Sequence, residues 1–352
     1  LEGGQGMAAL QYGTTEGYVP LREMIAERAR RDGAPCTVDN VLITSGSQQG
    51  IDLVGKGLVN PGDRLVVATP TYLGMIQALN MYEAAYANVA TDDEGIIPEA
   101  LEETLKAGPA KLIYIVPNFQ NPTGVTTSLA RRAAIVRLAD TYGVPVVEDD
   151  PYGMLRYEGE PVPSLLAVDA RLNNGYLGGG PPETGNVISL GTFSKTLCPG
   201  FRVAWMIGPA DVIRRLAQAK QDGDLHTSTF AQMIVYEMAG DGFVEEHIQR
   251  LRAVYKERRD RMLALMAAHF PPGVTWTHPE GGLFIWVRFP AGIDTTDLLR
   301  EAVERGVAYV PGSPFHPNGG GENTLRMNFS NASLERIEQG MERLAAVFQG
   351  VV

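Results

Sequence analysis

Lys195 is the residue of this sequence whose surroundings most clearly indicate chemistry. It follows the apolar run 187–190 and two hydroxyl residues, Thr192 and Ser194, and Arg202 comes seven residues later. A lysine, an arginine and hydroxyl groups just beyond a strand suit an anionic ligand at the edge of an α/β sheet. A solvated lysine in a polar loop would explain this stretch alone equally well, so the rest of the chain has to decide.

Three other stretches place polar residues at the same kind of position. Ser47 and Gln48 lie between a predicted strand and a predicted helix, where free backbone N–H groups can bind an anion, although an ordinary helix cap looks the same. Asn121 follows another strand in the motif Asn-Pro-Thr-Gly, and Asp149 and Tyr152 follow a third. Because ligands bind beyond the carboxyl ends of parallel strands, we expect these residues to share one site.

The elements that position these residues alternate between strand and helix, which predicts an α/β fold with a mainly parallel central sheet flanked by helices. Beyond residue 208 the pattern changes, and a long amphipathic stretch over 243–270 predicts a helix that links two domains. We predict a large domain over 1–245, of which 1–17 is an N-terminal arm toward a partner subunit, and a smaller α+β domain over 246–352. The glycine-rich stretch 172–185 predicts a loop. Strands are predicted over 41–44, 64–68, 86–90, 111–116, 144–147, 187–190, 283–289 and 324–328. Helices are predicted over 21–31, 72–81, 98–106, 128–142, 295–305 and 333–348, and one more ends at Leu58.

Composition excludes several classes of protein. The chain has 352 residues, a net charge of −11 and no basic cluster, so we expect no nucleic-acid partner. No apolar run is long enough to cross a bilayer, and two cysteines fit a reducing cytoplasm. The histidines are dispersed, which predicts no metal site. Because the first residue is Leu1, we expect the sequence to begin inside a longer gene product.

The candidate residues match what pyridoxal phosphate requires. This cofactor needs a lysine for covalent attachment, an anion beside its pyridine nitrogen, and a ring to lie against. Its phosphate needs a helix N-terminus, hydroxyl groups and an arginine, and its phenolic oxygen needs hydrogen-bond donors. Lys195 could provide the attachment, Asp149 the anion and Tyr72 the ring. Asn121 and Tyr152 could donate to the phenolic oxygen. The residues that could bind the phosphate are Ser47, Gln48, Thr192, Ser194 and Arg202.

Several separated motifs resemble those of the fold-type-I pyridoxal-phosphate aminotransferases. They are Ser-Lys with an arginine seven residues on, Asn-Pro-Thr-Gly, and Asp-x-x-Tyr. Ser-Gly-Ser-Gln-Gln, Phe-Gln-Asn-Pro-Thr-Gly, Glu-Asp-Asp-Pro-Tyr, Asp224-Leu-His-Thr227 and the glycine-rich approach to Arg326 resemble the branch of 2-aminoadipate and kynurenine aminotransferases. The resemblance runs from about Leu10 to the C-terminus.

The resemblance implies a role for each candidate around the cofactor ring. Lys195 would carry the covalent bond and move the proton at the reacting carbon, and Asp149 would pair with the pyridine nitrogen. Asn121 and Tyr152 would bind the phenolic oxygen, and Tyr72 would stack on the ring. From the residues alone, Glu148 or Asp150 could replace Asp149, although the spacing to Tyr152 favours Asp149, and Tyr72 could be ordinary core packing.

The resemblance also implies how the phosphate and the substrate are bound. Ser47, Gln48, Ser194 and Arg202 would hold the phosphate, with Thr192 where the family more often has serine. Tyr12 would reach the phosphate of the neighbouring subunit, which implies a homodimer with shared active sites. Arg326 would bind the substrate α-carboxylate, next to Asn121. The family's segment before the Gln-Tyr-Gly stretch, which covers the substrate, is not part of this sequence, so the side-chain preference is the least determined property.

We therefore predict an aminotransferase with a ping-pong mechanism. Glutamate and 2-oxoglutarate would be one substrate pair, and 2-aminoadipate, as in the enzymes of lysine biosynthesis, the favoured second amino acid. Three alternatives stay open: a broad aromatic or branched-chain aminotransferase, another pyridoxal-phosphate reaction such as that of a lyase, and the effector domain of a transcription regulator. The last would require a DNA-binding segment, and the sequence contains none.

Overall fold

Two sheets organise the chain, which the computed structural model describes over residues 4–172 and 185–350. The larger sheet has eight strands in the order β1-β8-β7-β6-β5-β2-β3-β4, and the smaller has four in the order β11-β12-β10-β9. The strands are β1 Val41–Thr44, β2 Arg64–Thr69, β3 Ala85–Asp92, β4 Gly95–Ile96, β5 Leu112–Ile115, β6 Val146–Asp149, β7 Val187–Thr192, β8 Ala204–Ile207, β9 Thr275–Trp276, β10 Phe284–Arg288, β11 Val310–Pro311 and β12 Thr324–Asn328.

Parallel pairing dominates the centre of the large sheet. Strands β3, β2, β5, β6 and β7 pair in parallel, and strands such as β1, β5 and β6 are buried along their whole length. Parallel strands need helical crossovers, and these cover both faces of the sheet. The predicted α/β fold, with its mainly parallel sheet and a smaller α+β unit, is confirmed. The sheet is nevertheless mixed, because β8 is antiparallel to both of its neighbours.

Two strands of the large sheet, β4 and β8, were not predicted, and β8 is the longer of them. The chain leaves β7 at Thr192, passes Lys195 and Arg202, and returns at Ala204. So short a connection can join only antiparallel strands. It contains a single 3-10 turn, Pro199–Phe201, and therefore lacks the strand–helix alternation on which the prediction relied. Because β1 also pairs with β8 in antiparallel fashion, β1 runs in the same direction as β7.

Helices fill the crossovers and cover the small sheet. Most predicted helices occur within a few residues of their expected bounds, whereas α1, α7, α8 and α9 were not predicted. The helices are α1 Gly4–Ala9, α2 Val19–Arg31, α3 Ser47–Leu58, α4 Leu73–Asn80, α5 Pro98–Lys106, α6 Leu129–Tyr142, α7 Leu165–Leu172, α8 Ala210–Asp224, α9 Thr229–Gly240, α10 Phe243–His269, α11 Thr295–Glu304 and α12 Leu334–Phe348.

Helix α10 connects the two sheets. Leu251 and Tyr255 pack against the apolar core on one face of the large sheet, while Met262 and Met266 lie in the core of the small one. This agrees with a linking helix, and the boundary between 245 and 246 stays a prediction. Within the described ranges, no helix combines the length and the apolar composition needed to cross a bilayer. Residues 1–3 of the predicted arm and most of the predicted loop 172–185 lie outside the described residues.

Candidate active site

A cavity of 380 Å³ lies at the edge of the large sheet where β1, β2, β5, β6 and β7 have their carboxyl ends. This is the edge at which parallel sheets bind ligands. Every predicted site residue except Tyr12 lines it: Ser47, Gln48, Tyr72, Asn121, Asp149, Tyr152, Thr192, Ser194, Lys195, Arg202 and Arg326, together with Val116, Pro151, Pro199 and Phe284. Residues up to 279 positions apart in the sequence, from Ser47 to Arg326, thus share one cavity.

Asp149 is the carboxylate that faces the cavity. It is the last residue of β6 and is buried, and its Oδ2 accepts a 2.7 Å hydrogen bond from the Tyr114 hydroxyl. Its Oδ1 has no partner among the described residues. Burial raises the pKa of Asp149 to about 7; the bond from Tyr114 opposes that rise, and the nearby Asp150 adds to it. A cation beside Oδ1 would restore the ionised form.

The two neighbouring carboxylates serve the framework. Glu148 accepts hydrogen bonds from the backbone N–H of Leu165 at 2.7 Å and Leu166 at 3.2 Å, so it caps helix α7. Asp150 accepts hydrogen bonds from Gly153 N at 2.8 Å and Asn118 Nδ2 at 2.8 Å. Neither lines the cavity. The alternation of side chains along β6 explains why Asp149 alone points to it.

Lys195 enters the cavity from the connection between β7 and β8. Its side chain is half-buried. Burial lowers the pKa of the Lys195 amine, and the positive charges of Arg202 and Arg326 lower it further. A lysine in such surroundings is neutral in a larger fraction of molecules than a solvated one, and a neutral amine can act as a nucleophile or accept a proton.

The N-terminus of α3 and Arg202 form an anion-binding corner. Gly46 caps α3 with φ 92°, a conformation that favours glycine, and a Cβ there would lie 2.1 Å from Arg202 Nη2. Arg202 itself has φ 53° and donates from Nη2 to the Ser45 carbonyl at 3.3 Å. The Ser47 hydroxyl is buried and has no partner within the described residues. Free N–H groups, hydroxyls and an arginine together suit a phosphate.

Thr192 and Ser194 complete that corner from the side of β7. Their hydroxyl oxygens lie 3.0 Å apart, and the backbone N–H of Ser194 donates to Thr192 Oγ1 at 3.1 Å. This local turn fixes the backbone immediately before Lys195. Gln48 lies at the first turn of α3 but donates from Nε2 to the Gly74 carbonyl at 2.8 Å, so its side chain ties α3 to α4.

Arg326 closes the opposite end of the cavity. It belongs to β12 of the small sheet and donates from Nη1 to Asn121 Oδ1 at 2.7 Å. Its guanidinium carbon lies 4.2 Å from the ring centre of Phe284 and 5.1 Å from that of Phe315. Its Nε has no partner among the described residues. An arginine that lies over aromatic rings and has a free N–H edge can bind a carboxylate through two hydrogen bonds.

Tyr152 and Tyr72 line the walls between these two ends. Tyr152 is buried, and its ring meets that of Phe284 edge-on with centres 5.9 Å apart. Burial raises the pKa of both tyrosine hydroxyls, so both remain protonated donors at neutral pH. Tyr72 follows β2, lines the cavity and also packs against the adjacent core. Core packing and a place beside a cofactor ring are therefore compatible for this residue.

Tyr12 lies apart from the cavity. Its side chain is 79% exposed, and its ring meets that of His226 edge-on at 5.9 Å. Met7 and Leu10 in the same arm are exposed as well. The cavity of one chain therefore does not include Tyr12.

Sequence reasoning missed residues that hold the site from outside. Tyr114 was overlooked because it lies inside an apolar strand, Leu-Ile-Tyr-Ile, and its lone hydroxyl was the available signal. Arg132 was overlooked in α6, although it is fully buried. It donates to the Pro117 carbonyl at 3.1 Å and to Asn118 Oδ1 at 2.6 Å, which fixes the loop that carries Asn121.

Comparison with known proteins decides the family. Residues 3–344 match the family of class I and II aminotransferases. The chain belongs to this family. It is 46% identical to aromatic-amino-acid aminotransferase 1 of Thermococcus litoralis over 343 residues, which are 96% of this chain and 79% of that protein. It is 40% identical to the 2-aminoadipate transaminase of Thermus thermophilus over 348 residues, 99% of this chain and 84% of that protein.

A solved structure of the same family agrees with the fold of this aminotransferase. The kynurenine aminotransferase of Pyrococcus horikoshii, crystallised with PMP, KYN and KYA, superposes with a TM-score of 0.92 and 45% identity. The match covers 99% of this chain and 84% of that chain. The predicted family and fold type are thereby confirmed, and the chain is a transaminase of the pyridoxal-phosphate-dependent fold type I.

The aminotransferase cavity fits pyridoxal phosphate. Ser47 Oγ, Asp149 Oδ1 and Arg326 Nε are buried polar atoms without partners in the described part of the chain, and all three residues line the cavity. Asp149 Oδ1 can accept a hydrogen bond from a cation, whereas Ser47 Oγ and Arg326 Nε can each donate one to an anion. A cofactor with a basic ring nitrogen and a phosphate, carrying a substrate carboxylate, supplies those three partners.

Proposed function

We propose that this aminotransferase moves the α-amino group of an L-amino acid to 2-oxoglutarate in two half-reactions at one lysine. The observation that carries the proposal is the placement of Lys195, Asp149 and Arg326 around one cavity. Pyridoxal phosphate supplies an electron-withdrawing ring that stabilises negative charge on the substrate Cα. The side chains of this chain supply attachment, orientation and proton transfer. Because the first 2-oxo acid would leave before the second one binds, with the amino group kept in the site between the two, the exchange would be ping-pong.

Lys195 is the proposed nucleophile and proton carrier. It would bind the cofactor covalently before the substrate arrives, and once displaced its free amine would take the proton from the substrate Cα and return it at C4′. The lowered pKa of Lys195 keeps the amine available as a base. Asp149 would hold the proton on the pyridine nitrogen through its free Oδ1, while Tyr114 orients the carboxylate.

The remaining cavity residues would bind and orient. Asn121 and Tyr152 are the proposed donors to the phenolic oxygen, and Tyr72 the ring that lies against the cofactor. The phosphate would lie at the N-terminus of α3, against the residues that make up the anion-binding corner: Ser47, Gln48, Thr192, Ser194 and Arg202. Arg326, positioned by Asn121, would bind the substrate α-carboxylate.

For the second amino acid we propose 2-aminoadipate, with glutamate and 2-oxoglutarate as the common pair. A 40% identical relative is a 2-aminoadipate transaminase. Aromatic amino acids are the second candidate, because Phe284 and Tyr72 offer apolar walls beside Arg326 and a 46% identical relative is an aromatic-amino-acid aminotransferase. We do not propose the lyase or the regulator, because the relatives at 46% and 40% identity are aminotransferases.

We also propose a cytoplasmic homodimer. The exposed apolar side chains Met7, Leu10 and Tyr12 of the arm support a partner surface, since burying them would be favourable. Tyr12 would then reach the phosphate of the partner's cofactor.

The deciding experiment compares kcat/KM for 2-aminoadipate, glutamate, leucine, phenylalanine and kynurenine. We expect 2-aminoadipate to exceed leucine and phenylalanine. A reversal by about tenfold, equivalent to about 1.4 kcal/mol of transition-state binding, would replace 2-aminoadipate by an apolar substrate. Absence of amino-group transfer from all five would contradict the function itself.

A further inference from the structure

An ion pair between a buried lysine and a partly exposed aspartate lies next to the anion-binding corner, and neither residue lines the cavity. Lys220, in the last turns of α8, has a fully buried side chain, and its Nζ lies 2.6 Å from Asp224 Oδ1. The other carboxylate oxygen, Asp224 Oδ2, accepts hydrogen bonds from Ser45 Oγ at 3.0 Å and from Gln49 Nε2 at 2.8 Å. One carboxylate thus joins the end of α8 to both sides of the turn that begins α3.

The two residues that Asp224 binds determine the shape of this turn. Gln49 turns back and accepts a 2.7 Å hydrogen bond from the backbone N–H of Ser45 through Oε1. The Ser45 carbonyl accepts the hydrogen bond from Arg202. Between them lie Gly46, Ser47 and Gln48, of which Ser47 and Gln48 line the cavity. Asp224 does not line the cavity, and it contacts the turn through the residues at its two ends.

The charge of Asp224 needs Lys220. An unpaired carboxylate close behind a phosphate position would repel the phosphate. Burial pushes the pKa of Asp224 up, but the bonds from Lys220, Gln49 and Ser45 outweigh it and the pKa is lowered. Burial of Lys220, opposed by Asp224, lowers the pKa of that lysine. The pair is thus close to neutral as a unit, and the carboxylate can orient two donors without opposing an anion.

We propose that Asp224, neutralised by Lys220, is a positioning residue for the cofactor phosphate: it holds the turn 45–49 in its phosphate-binding shape. The inference rests on the proposed placement of the phosphate at Ser47 and Arg202. It gives a role to the Asp-Leu-His-Thr stretch, which the proposed reaction leaves without one.

If Asp224 positions the phosphate, its removal should weaken the binding of pyridoxal phosphate but not that of pyridoxal. In Asp224→Ala, Ser45 and Gln49 lose their common acceptor, so we expect the dissociation constant of pyridoxal phosphate to rise about tenfold or more. Pyridoxal, which has the same ring and no phosphate, should bind with unchanged affinity. Titrations of the cofactor-free protein, followed by absorbance, measure both constants. Asp222→Ala is the matched control, because Asp222 is an exposed aspartate two residues earlier in α8.

Two further variants keep the test decisive. Arg202→Met examines the phosphate position directly and should weaken binding of pyridoxal phosphate but not of pyridoxal. Ser45→Ala removes one of the two donors from the turn and should raise the dissociation constant of pyridoxal phosphate by a smaller factor, so it replaces Asp224→Ala if that variant does not fold.

The outcomes separate this inference from the proposed function. If Arg202→Met weakens pyridoxal phosphate selectively while Asp224→Ala and Ser45→Ala leave both constants unchanged, Asp224 has no positioning role and the phosphate site stands. Equal losses for pyridoxal phosphate and pyridoxal would show a general structural effect and would also overturn the role of Asp224. If Arg202→Met has no effect, the phosphate position is wrong and the inference falls with it.

Discussion

At the scale of single residues, the proposed function needs Asp149 to be ionised, whereas its burial in the folded protein favours the neutral form. In the cofactor-free protein its pKa is raised from 3.8 to about 7. The folded state therefore binds a proton more tightly than the unfolded state, and the stability that this provides is lost as the pH rises from about 4 through 7. Each pKa unit is equivalent to about 1.4 kcal/mol. A protonated ring nitrogen bound beside Asp149 would offset this loss of stability by forming an ion pair with its carboxylate.

Asp149→Asn should consequently stabilise the cofactor-free protein at pH 8 and change its stability little at pH 4, where the carboxyl group is neutral in the folded protein. Thermal unfolding of wild type and variant at the two pH values measures this. Asp222→Asn, an exposed change, should alter neither. A melting temperature that is lowered by Asp149→Asn at pH 8 would show that the carboxylate is already paired in the cofactor-free protein.

Substitutions of the neighbouring acids Asp149 and Asp150 should reduce activity to different extents. Asp149→Asn should abolish most transamination, because a neutral amide cannot keep the pyridine nitrogen protonated. Asp150→Asn retains a side chain that can bond Gly153 and should lose much less. Single-turnover rates with glutamate distinguish them. Greater damage from Asp150→Asn would mean that the carboxylate facing the ring has been misassigned.

At the scale of elements, the junction of β1 and α3 depends on Gly46. An alanine there would be strained at φ 92°, and its Cβ would displace the Arg202 guanidinium. Gly62→Ala is a matched control, since Gly62 has φ 83° with no atom within 4 Å of the added Cβ. We expect both variants to lose about 1 kcal/mol of stability, and only Gly46→Ala to bind pyridoxal phosphate more weakly. Equal affinities in the two variants would exclude a role for the glycine at the phosphate.

Sequence patterns predicted some elements and some site residues but missed others. Helix α5 begins with Pro98 and ends at Lys106, as predicted, because its proline and its apolar spacing are local signals. Strand β8 was missed because the short connection from β7 contains no helix longer than a 3-10 turn, so strand–helix alternation does not indicate it. Most cavity residues could be named because they lie at or just beyond the carboxyl end of a strand, whereas Arg326 lies within β12 and was named from the family resemblance. Tyr114, Arg132 and Asp224 could not, since their roles arise from contacts made 14 to 179 residues away.

At the scale of the whole molecule, the exposed arm predicts a dimer. The mass in solution, from light scattering, should be twice the 38.1 kDa of one chain. Tyr12→Phe should leave that mass unchanged and weaken the binding of pyridoxal phosphate, since the hydroxyl would be lost from the partner's phosphate. Tyr142→Phe, at the end of α6 and away from the cavity, should change neither. A monomer with full cofactor affinity would leave the arm without its proposed role.

The central claim is that Lys195 and pyridoxal phosphate in this cavity exchange an amino group between amino acid and 2-oxo acid. The most direct measurement is the absorption spectrum of the reconstituted protein during one half-reaction and its reversal. We expect a near-visible cofactor band that disappears when glutamate is added and returns with 2-oxoglutarate, and a Lys195→Ala variant that binds cofactor but does not complete the cycle. A reconstituted protein without the band, or a Lys195→Ala variant that cycles like wild type, would contradict the account.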